Sequence, residues 1–390
     1  MRGPNLNSVK RRDFIKTAAA AGAVTAGAGS AGILAGCGRG NGDAPAVQTQ
    51  RSVRWRLASS FPRGLDTLYG ASETLATRVS ELTGGRFQIR ISPAGELVPA
   101  NEVLGAVQIG TVQIGHSCGY YYTGHNPALA FDTGVPFGLT ARQQTAWLRH
   151  GGGMELMREL YADFNIINFL GGNTGAQMGG WFRRPVDSLA DLRGLKMRIP
   201  GLGGEVMSQL GVTVQLLSGG EIYQALERGA IDATEWVGPY DDVKLGFHEI
   251  APYYYYPGWW EPGPNVSFMV NRRAWDELPS IYQHAFEAAA AEASIRMLAG
   301  YDGRNQAAIA EAVQAGVQLR AFPEATMIEA ERISFDLMAS RAAADGTYRR
   351  VFDAFRAFRE EAYTWFGTAE HHYAAFAFPQ AERTPPGEAA

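Results

Sequence analysis

The run Glu102-Val103-Leu104-Gly105-Ala106-Val107-Gln108-Ile109-Gly110-Thr111-Val112-Gln113 has a counterpart in the other half of the chain. That counterpart is Glu221-Ile222-Tyr223-Gln224-Ala225-Leu226-Glu227-Arg228-Gly229-Ala230-Ile231-Asp232, which repeats the Glu, the apolar spacing, the Ala and the Gly at the same intervals. Each run predicts a short amphipathic helix stopped by a glycine in the left-handed conformation that follows many helices. Each then leads into a strand, Val112–Gly115 in one case and Ile231–Thr234 in the other. One such unit per half predicts two similarly built lobes; a chance likeness of two helix–strand units is the competing reading. In an open α/β sheet the residues just past the strand ends face the ligand crevice. That puts His116 to Tyr122 and Glu235-Trp236 on opposite walls of one cleft.

The flanking sequence agrees with an α/β chain of two lobes, which is also what the length of 390 residues suggests. Val53–Ala58 and Phe87–Ile91 read as strands. Between them Leu68, Leu75, Val79 and Leu82 fall at helical spacing, with Gly84 as a stop. From Ala274 the pattern becomes almost wholly helical: Ile281–Leu298, Gln306–Ala315, and a further layer containing Leu337, Val351, Phe352, Phe355 and Phe366. Aromatic residues in that last layer read as core or as a dimer face.

The first residues speak of export. Arg11-Arg12-Asp13-Phe14-Ile15-Lys16 precedes an Ala/Gly-rich stretch to about Leu34, a basic region followed by a weakly apolar one, with the paired arginines of the twin-arginine route. The stretch is too poor in large apolar residues for a permanent membrane span. Leu34-Ala35-Gly36-Cys37 resembles the lipobox of bacterial lipoproteins, which would acylate Cys37 and make residues 37–50 a tether; ordinary cleavage nearby is the alternative. Only Cys37 and Cys118 are present, so an acylated Cys37 leaves no intramolecular disulfide. Loss of residues 1–36 leaves 30 basic and 38 acidic residues, a net charge of about −8, which argues against a nucleic-acid partner.

Several familiar patterns carry little. Gly27-Ala28-Gly29-Ser30-Ala31-Gly32 fits a dinucleotide fingerprint but sits in the export segment with no strand before it. Gly115-His116-Ser117-Cys118-Gly119 fits a serine-hydrolase elbow and follows a strand, yet the next residues, Tyr120-Tyr121-Tyr122-Thr123-Gly124, start a helix poorly. A secreted serine hydrolase using Ser117 is therefore kept as the alternative function. The seven histidines show no zinc spacing.

Three segments offer binding chemistry: Gly171–Phe182, Leu192–Gly201, and Asp232–Trp236 followed by Trp259-Trp260-Glu261-Pro262. Arg198 ends an apolar strand before Ile199-Pro200, where a guanidinium can hold a carboxylate in a bidentate pair; a structural ion pair is the bland reading. Glu235 follows a strand that reads as buried, and a carboxylate there needs a cationic partner, an arginine or a metal. Gln177, Glu235, Glu261 and a main-chain carbonyl near Trp236 would make a hard, oxygen-rich cation site.

The order of these segments resembles the periplasmic binding subunits of tripartite ATP-independent periplasmic (TRAP) transporters, from about Trp55 to the C-terminal helices. Leu192-Arg193-Gly194-Leu195-Lys196-Met197-Arg198-Ile199-Pro200 is similar to that family's arginine signature. Ala225–Glu235 and Val270-Asn271-Arg272-Arg273-Ala274-Trp275-Asp276-Glu277-Leu278-Pro279 are further matches. The resemblance implies a non-enzymatic, two-lobed periplasmic-binding-protein fold of type II-like build, with hinge strands and long C-terminal helices. Lobe I would comprise 51–169 with about 266–300, and lobe II 170–265 with about 301–370. A tail would follow at 371–390, and the hinges would lie near Leu170 and at Asn265–Asn271.

The finer likeness is to the subclass binding 2-oxo or 2-hydroxy monocarboxylates together with a metal. It implies Gln177, Glu235, Trp236 and Glu261 as cation ligands, sodium favoured over calcium because Glu235 stands where calcium binders carry Asp. With such a site we expect Arg198 on the substrate carboxylate, with Gln177 and Asn173 beside it, Tyr122 donating from the other lobe, and Trp181 or Trp259 walling off the alkyl tail. Partners would be the small acid, the TRAP membrane subunits and a second copy in a homodimer. Membrane contact would come only through the lipid anchor. A lipid-anchored carboxylate sensor would use the same cleft.

Overall fold

The computed structural model describes residues 51–381, so the export segment, the tether and Cys37 lie outside the described residues. The first strands are β1 (Val53–Ser59), β2 (Phe87–Ser92), β3 (Ile114–Ser117), β4 (Ile166–Asn173), β5 (Trp181–Phe182) and β6 (Lys196–Arg198). Then come β7 (Thr213–Gln215), β8 (Ala233–Thr234), β9 (Tyr253–Tyr256), β10 (Asn265–Asn271) and β11 (Gln318–Ala321).

They form two sheets, ordered β2-β1-β3-β10-β4 and β11-β9-β5-β8-β6-β7. In the first, β1 runs parallel to β2 and β3, while β10 lies antiparallel between β3 and β4. The second repeats this plan: β6 is parallel to β7 and β8, and β5 lies antiparallel between β8 and β9. Read from the far edge, β7-β6-β8-β5-β9 copies β2-β1-β3-β10-β4, with β11 added.

The repeated sequence unit falls on matching places in these two plans. Helix Val103–Gln108 precedes β3 and helix Gly219–Glu227 precedes β8. Gly110 and Gly229 both take positive φ, +79° and +68°, the conformation a side chain would penalise. Both strands begin two residues later than the sequence pattern suggests, because the residues after each glycine complete the turn.

The chain leaves the first sheet after Asn173 and returns at Asn265. The two connecting segments, 174–180 and 257–264, lie side by side. Main-chain bonds stitch them: Thr174 N to Pro264 O at 3.2 Å, Gln177 N to Glu261 O at 3.2 Å, and Gly258 N to Gln177 O at 3.0 Å. Adjacent β4 and β10 are buried along their whole length.

The helices predicted over Ile281–Leu298 and Gln306–Ala315 are one helix, Ser280–Gln314, which passes Gly300 and Gly303 without a break. It packs on β4 and on helix Leu68–Leu82, and also on helix Pro239–Lys244 of the second lobe. Helix Glu324–Ala344 packs on helix Gly201–Gln209 of the second lobe. Helix Gly346–Phe366 departs from the expected division at 301–370: it returns to the first lobe, where Phe355 meets Phe131 at 5.1 Å and Trp147 at 5.3 Å. Burying those rings outweighs continuity along the sequence. Among the described residues no helix is long and apolar enough to cross a membrane.

Candidate ligand and cation site

Arg198 is the last residue of β6, and Glu235 is the first past the adjacent β8. The parallel register pairs Arg198 with Thr234, which brings the guanidinium and the carboxylate to the same sheet edge. Arg198 is 1% exposed and Glu235 fully buried. Nη1 of Arg198 donates to the Glu235 carboxylate and, at 3.1 Å, to the Glu235 main-chain carbonyl; Nε donates to Leu217 O at 3.1 Å. The guanidinium carbon also lies 5.0 Å from the Trp236 ring, a cation–π contact strengthened by burial. A buried ion pair of this kind is weak evidence for stability, because desolvation consumes most of the attraction. Its location at a cleft points to function.

Gln177 and Glu261 come from the two stitched crossover segments, and Glu261 lies close enough to this pair to feel both charges. Gln177 Nε2 donates to Thr174 Oγ1 at 3.3 Å, while its Oε1 is buried with no donor. Oε2 of Glu235 is likewise buried without a partner. Tyr120, from the 3₁₀ turn after β3, donates to Glu261 Oε2 at 3.4 Å. Burial pushes the Glu235 carboxyl up to about 7 despite the adjacent Arg198. Burial, and then the neighbouring Glu235 charge, hold Glu261 well above the ordinary carboxylate range.

Glu235 is thus paired with the guanidinium and Glu261 feels the charge of both, with one orphaned acceptor oxygen on Glu235 and another on Gln177. An all-oxygen donor set with surplus negative charge fits a hard cation. The fit relies on an amide and the main chain as well as carboxylates, since among the described residues no three His, Cys, Asp or Glu side chains gather as a metal cluster.

A small cavity beside these groups is lined by Phe61, Leu68, Tyr121, Trp236, Val237 and Val266, with Cys118, Tyr120, Thr174, Gln177 and Pro264 completing it. Residues 118–121 from the first lobe and 236–237 from the second face each other across it, the two walls expected from the strand ends. Phe61 escaped the sequence reading although it follows the end of β1; the strand-end rule that found Tyr120 would have found it too.

Four predicted ligand contacts have other work. The Tyr122 hydroxyl lies 2.9 Å from Ser117 Oγ and accepts from Leu104 N at 3.3 Å, inside the first lobe. Tyr120 and Tyr121 take the direction assigned to it. Asn173 spends its amide on the crossover, with Nδ2 donating to Gly263 O at 3.0 Å and Oδ1 accepting from Gly175 N at 2.8 Å. Trp181 is stacked on Tyr254 with ring centres 3.9 Å apart, and its Nε1 donates to Asp242 Oδ2 at 2.9 Å. Trp259 stacks on Phe137 at 5.2 Å in the second lobe's core. Phe61, Leu68, Val237 and Val266 line the small cavity, and Trp181 and Trp259 do not.

Nor does Ser117 resemble a nucleophile. It is fully buried, and its Oγ lies 2.7 Å from Ser60 Oγ. Adjacent His116 is turned to Ser72 at 3.0 Å, and burial drives its pKa down to about 3, leaving it neutral.

The family model for bacterial extracellular solute-binding proteins, family 7, matches residues 59–338. A monocarboxylate 2-oxoacid-binding periplasmic protein of Nostoc sp. is 51% identical over 370 residues, covering 95% of this chain and 99% of that protein. A TRAP transporter solute-binding protein from Bordetella bronchiseptica, a mixed-occupancy dimer with copurified calcium and picolinate, has 46% identity and a TM-score of 0.85; the match covers 86% of this chain and 99% of that one. A TRAP periplasmic solute-binding protein from Pseudoalteromonas atlantica with bound sodium and pyruvate has 40% identity and a TM-score of 0.81, over 84% of this chain and 99% of that one.

Proposed function

The chain belongs to the bacterial extracellular solute-binding proteins of family 7, and from that premise we propose that it captures a small 2-oxo or 2-hydroxy monocarboxylate, pyruvate-like in size, together with a cation, for a TRAP transporter. As a family member it is an extracytoplasmic binding protein and not an enzyme. One observation carries the ligand reading: two orphaned acceptors, Gln177 Oε1 and Glu235 Oε2, stand beside a buried arginine at the junction of the lobes. The relatives from Bordetella and Pseudoalteromonas, which hold carboxylates with calcium or sodium, support it.

Arg198 receives the ligand carboxylate, exchanging its present partner Glu235 for the incoming one. Glu235, Gln177, Glu261 and the main-chain carbonyl of Trp236 would hold the cation, sodium or calcium. A bound cation would supply positive charge that offsets these carboxylates and the incoming acid's own carboxylate. Tyr121 closes the site from the first lobe, and Phe61, Leu68, Val237 and Val266 limit the alkyl tail. Closure follows hinge motion at the two stitched crossovers, as in other two-lobed binding proteins.

Titration calorimetry of the mature chain with pyruvate and lactate, in sodium, in potassium, with calcium and with a chelator, tests the proposal. Cation-dependent binding of either acid is expected. Equal binding in all four conditions would remove the bridging cation, and no binding would remove the monocarboxylate.

We also infer export through Arg11-Arg12 and acylation at Cys37, checked by mass spectrometry of the mature N-terminus. The exposed aromatics Trp365, Tyr373, Phe376 and Phe378 near the C-terminus favour a homodimer. Light scattering on the intact chain and on one ending at Phe366 tests this; a monomer in both cases would refute it.

A further inference from the structure

Helix Pro239–Lys244 makes two sets of contacts that point in opposite directions. On its inner side, buried Asp242 accepts from Trp181 Nε1 at 2.9 Å and from the Tyr254 hydroxyl at 2.7 Å through Oδ2, and from Val237 N at 3.2 Å through Oδ1. Those bonds fix the segment immediately after Glu235-Trp236. On its outer side, the Tyr240 hydroxyl donates to Asp66 Oδ2 at 3.0 Å, and Lys244 forms an ion pair with Asp66 Oδ1. The Lys244 ammonium also lies 4.0 Å from the Tyr240 ring.

Asp66 belongs to the first lobe, between β1 and helix Leu68–Leu82, whereas residues 239–244 follow β8 of the second. Alongside, Tyr240 N donates to Asn305 Oδ1 at 3.1 Å and Arg304 Nη1 to Thr67 Oγ1 at 3.1 Å. One short helix therefore touches the ligand-holding segment, the long helix and the opposite lobe.

We propose that helix Pro239–Lys244 is a cross-lobe clasp, with Asp66, Tyr240 and Lys244 as positioning residues that tie lobe closure to the placement of Glu235 and Trp236. The role rests on the cleft being the ligand site. Asp66 and Lys244 touch no ligand-lining group, so their effect is on how long the closed state lasts. Opening must break the Asp66 contacts; encounter with the open form need not. Their side chains remain 51% and 33% exposed, which leaves the pair open to screening by salt.

The test is stopped-flow tryptophan fluorescence with pyruvate and whichever cation supports wild-type binding. Asp66→Asn and Lys244→Met should each release pyruvate faster by roughly threefold to tenfold, with little change in the association rate. The exchanged pair Asp66→Lys with Lys244→Asp should recover part of the loss, and added potassium chloride should speed release from wild type more than from either single variant. Wild-type release rates and salt dependence in both single variants would overturn the clasp. If wild type itself ignores pyruvate, the ligand assignment falls, and the clasp is judged by small-angle scattering instead. A larger radius of gyration in Asp66→Asn than in wild type would support it, and identical values would overturn it.

Discussion

Replacing Arg198 by methionine keeps most of the side chain's bulk and removes its charge and donors. Three acceptors lose their partner: Leu217 O, Glu235 O and the Glu235 carboxylate. What remains is Glu235, fully buried, with Glu261 close by and no cation between them. Breaking a buried pair on one side costs about 3–5 kcal/mol where the abandoned group stays charged, but Glu235, raised to about 7 even beside Arg198, sheds part of that cost by taking up a proton near neutral pH. Replacing both partners by neutral groups of similar volume is often close to neutral. Arg198→Met should therefore lose at least about 2 kcal/mol in urea denaturation without ligand or added cation, from the acceptors left without a donor, while Arg198→Met with Glu235→Gln should regain part of it. Binding should behave differently. Loss of a buried charge partner for the ligand carboxylate weakens affinity by about 30-fold to several thousandfold, and the double variant should not recover it. A single variant within about 1 kcal/mol of wild type, or a double variant that binds pyruvate as wild type does, would refute the reasoning.

Three further outcomes follow from side chains already described. Burial raises the Asp132 carboxyl to about 6, although Ser267, Tyr161 and Asn168 all donate to it. An acid with a raised folded-state value stabilises fully only below its unfolded value and loses that as pH rises through the folded one, so Asp132 should contribute a fall of about 2 kcal/mol as pH rises from about 4 to about 7. Asp132→Asn should flatten that slope in pH-dependent denaturation. Tyr122→Phe should leave pyruvate affinity unchanged in calorimetry and cost about 1 kcal/mol of stability, whereas Tyr121→Phe should weaken binding. Gly180 has φ of +84°, and a Cβ there would come within 2.4 Å of Thr234 O; Gly180→Ala should cost at least about 1 kcal/mol and weaken binding by displacing Glu235, as calorimetry and denaturation would register.

Much of this architecture is visible in the sequence because its signals are local. The paired Glu-apolar-x-x-Ala-apolar-x-x-Gly units mark equivalent helix–strand steps, and the strand-end rule brings Arg198, Glu235 and the Tyr120–Tyr122 turn toward one cleft. What escaped depends on rotation and distance. A 3₁₀ turn carries successive side chains about 120° apart, so a row of three tyrosines cannot all face the ligand, and sequence does not say which one turns away. Trp181 is expected as a ligand wall from the monocarboxylate reading; only its stacking on Tyr254, far along the chain, makes it core. The return of helix Gly346–Phe366 to the first lobe likewise depends on Phe131 and Trp147, which no local pattern connects to Phe355.

The position of β10 has a consequence for the order of assembly. The lobe that begins first in the chain has a gap at its centre, between β3 and β4, until residues 265–271 have been made. Its counterpart has β5 through β9 together in sequence and lacks only the edge strand β11. The later-made lobe can thus complete its central sheet before the earlier one does. Closing such a distant contact is entropically slow, and a chain cut between Asn173 and Asn265 would lack the strand that pairs with both β3 and β4.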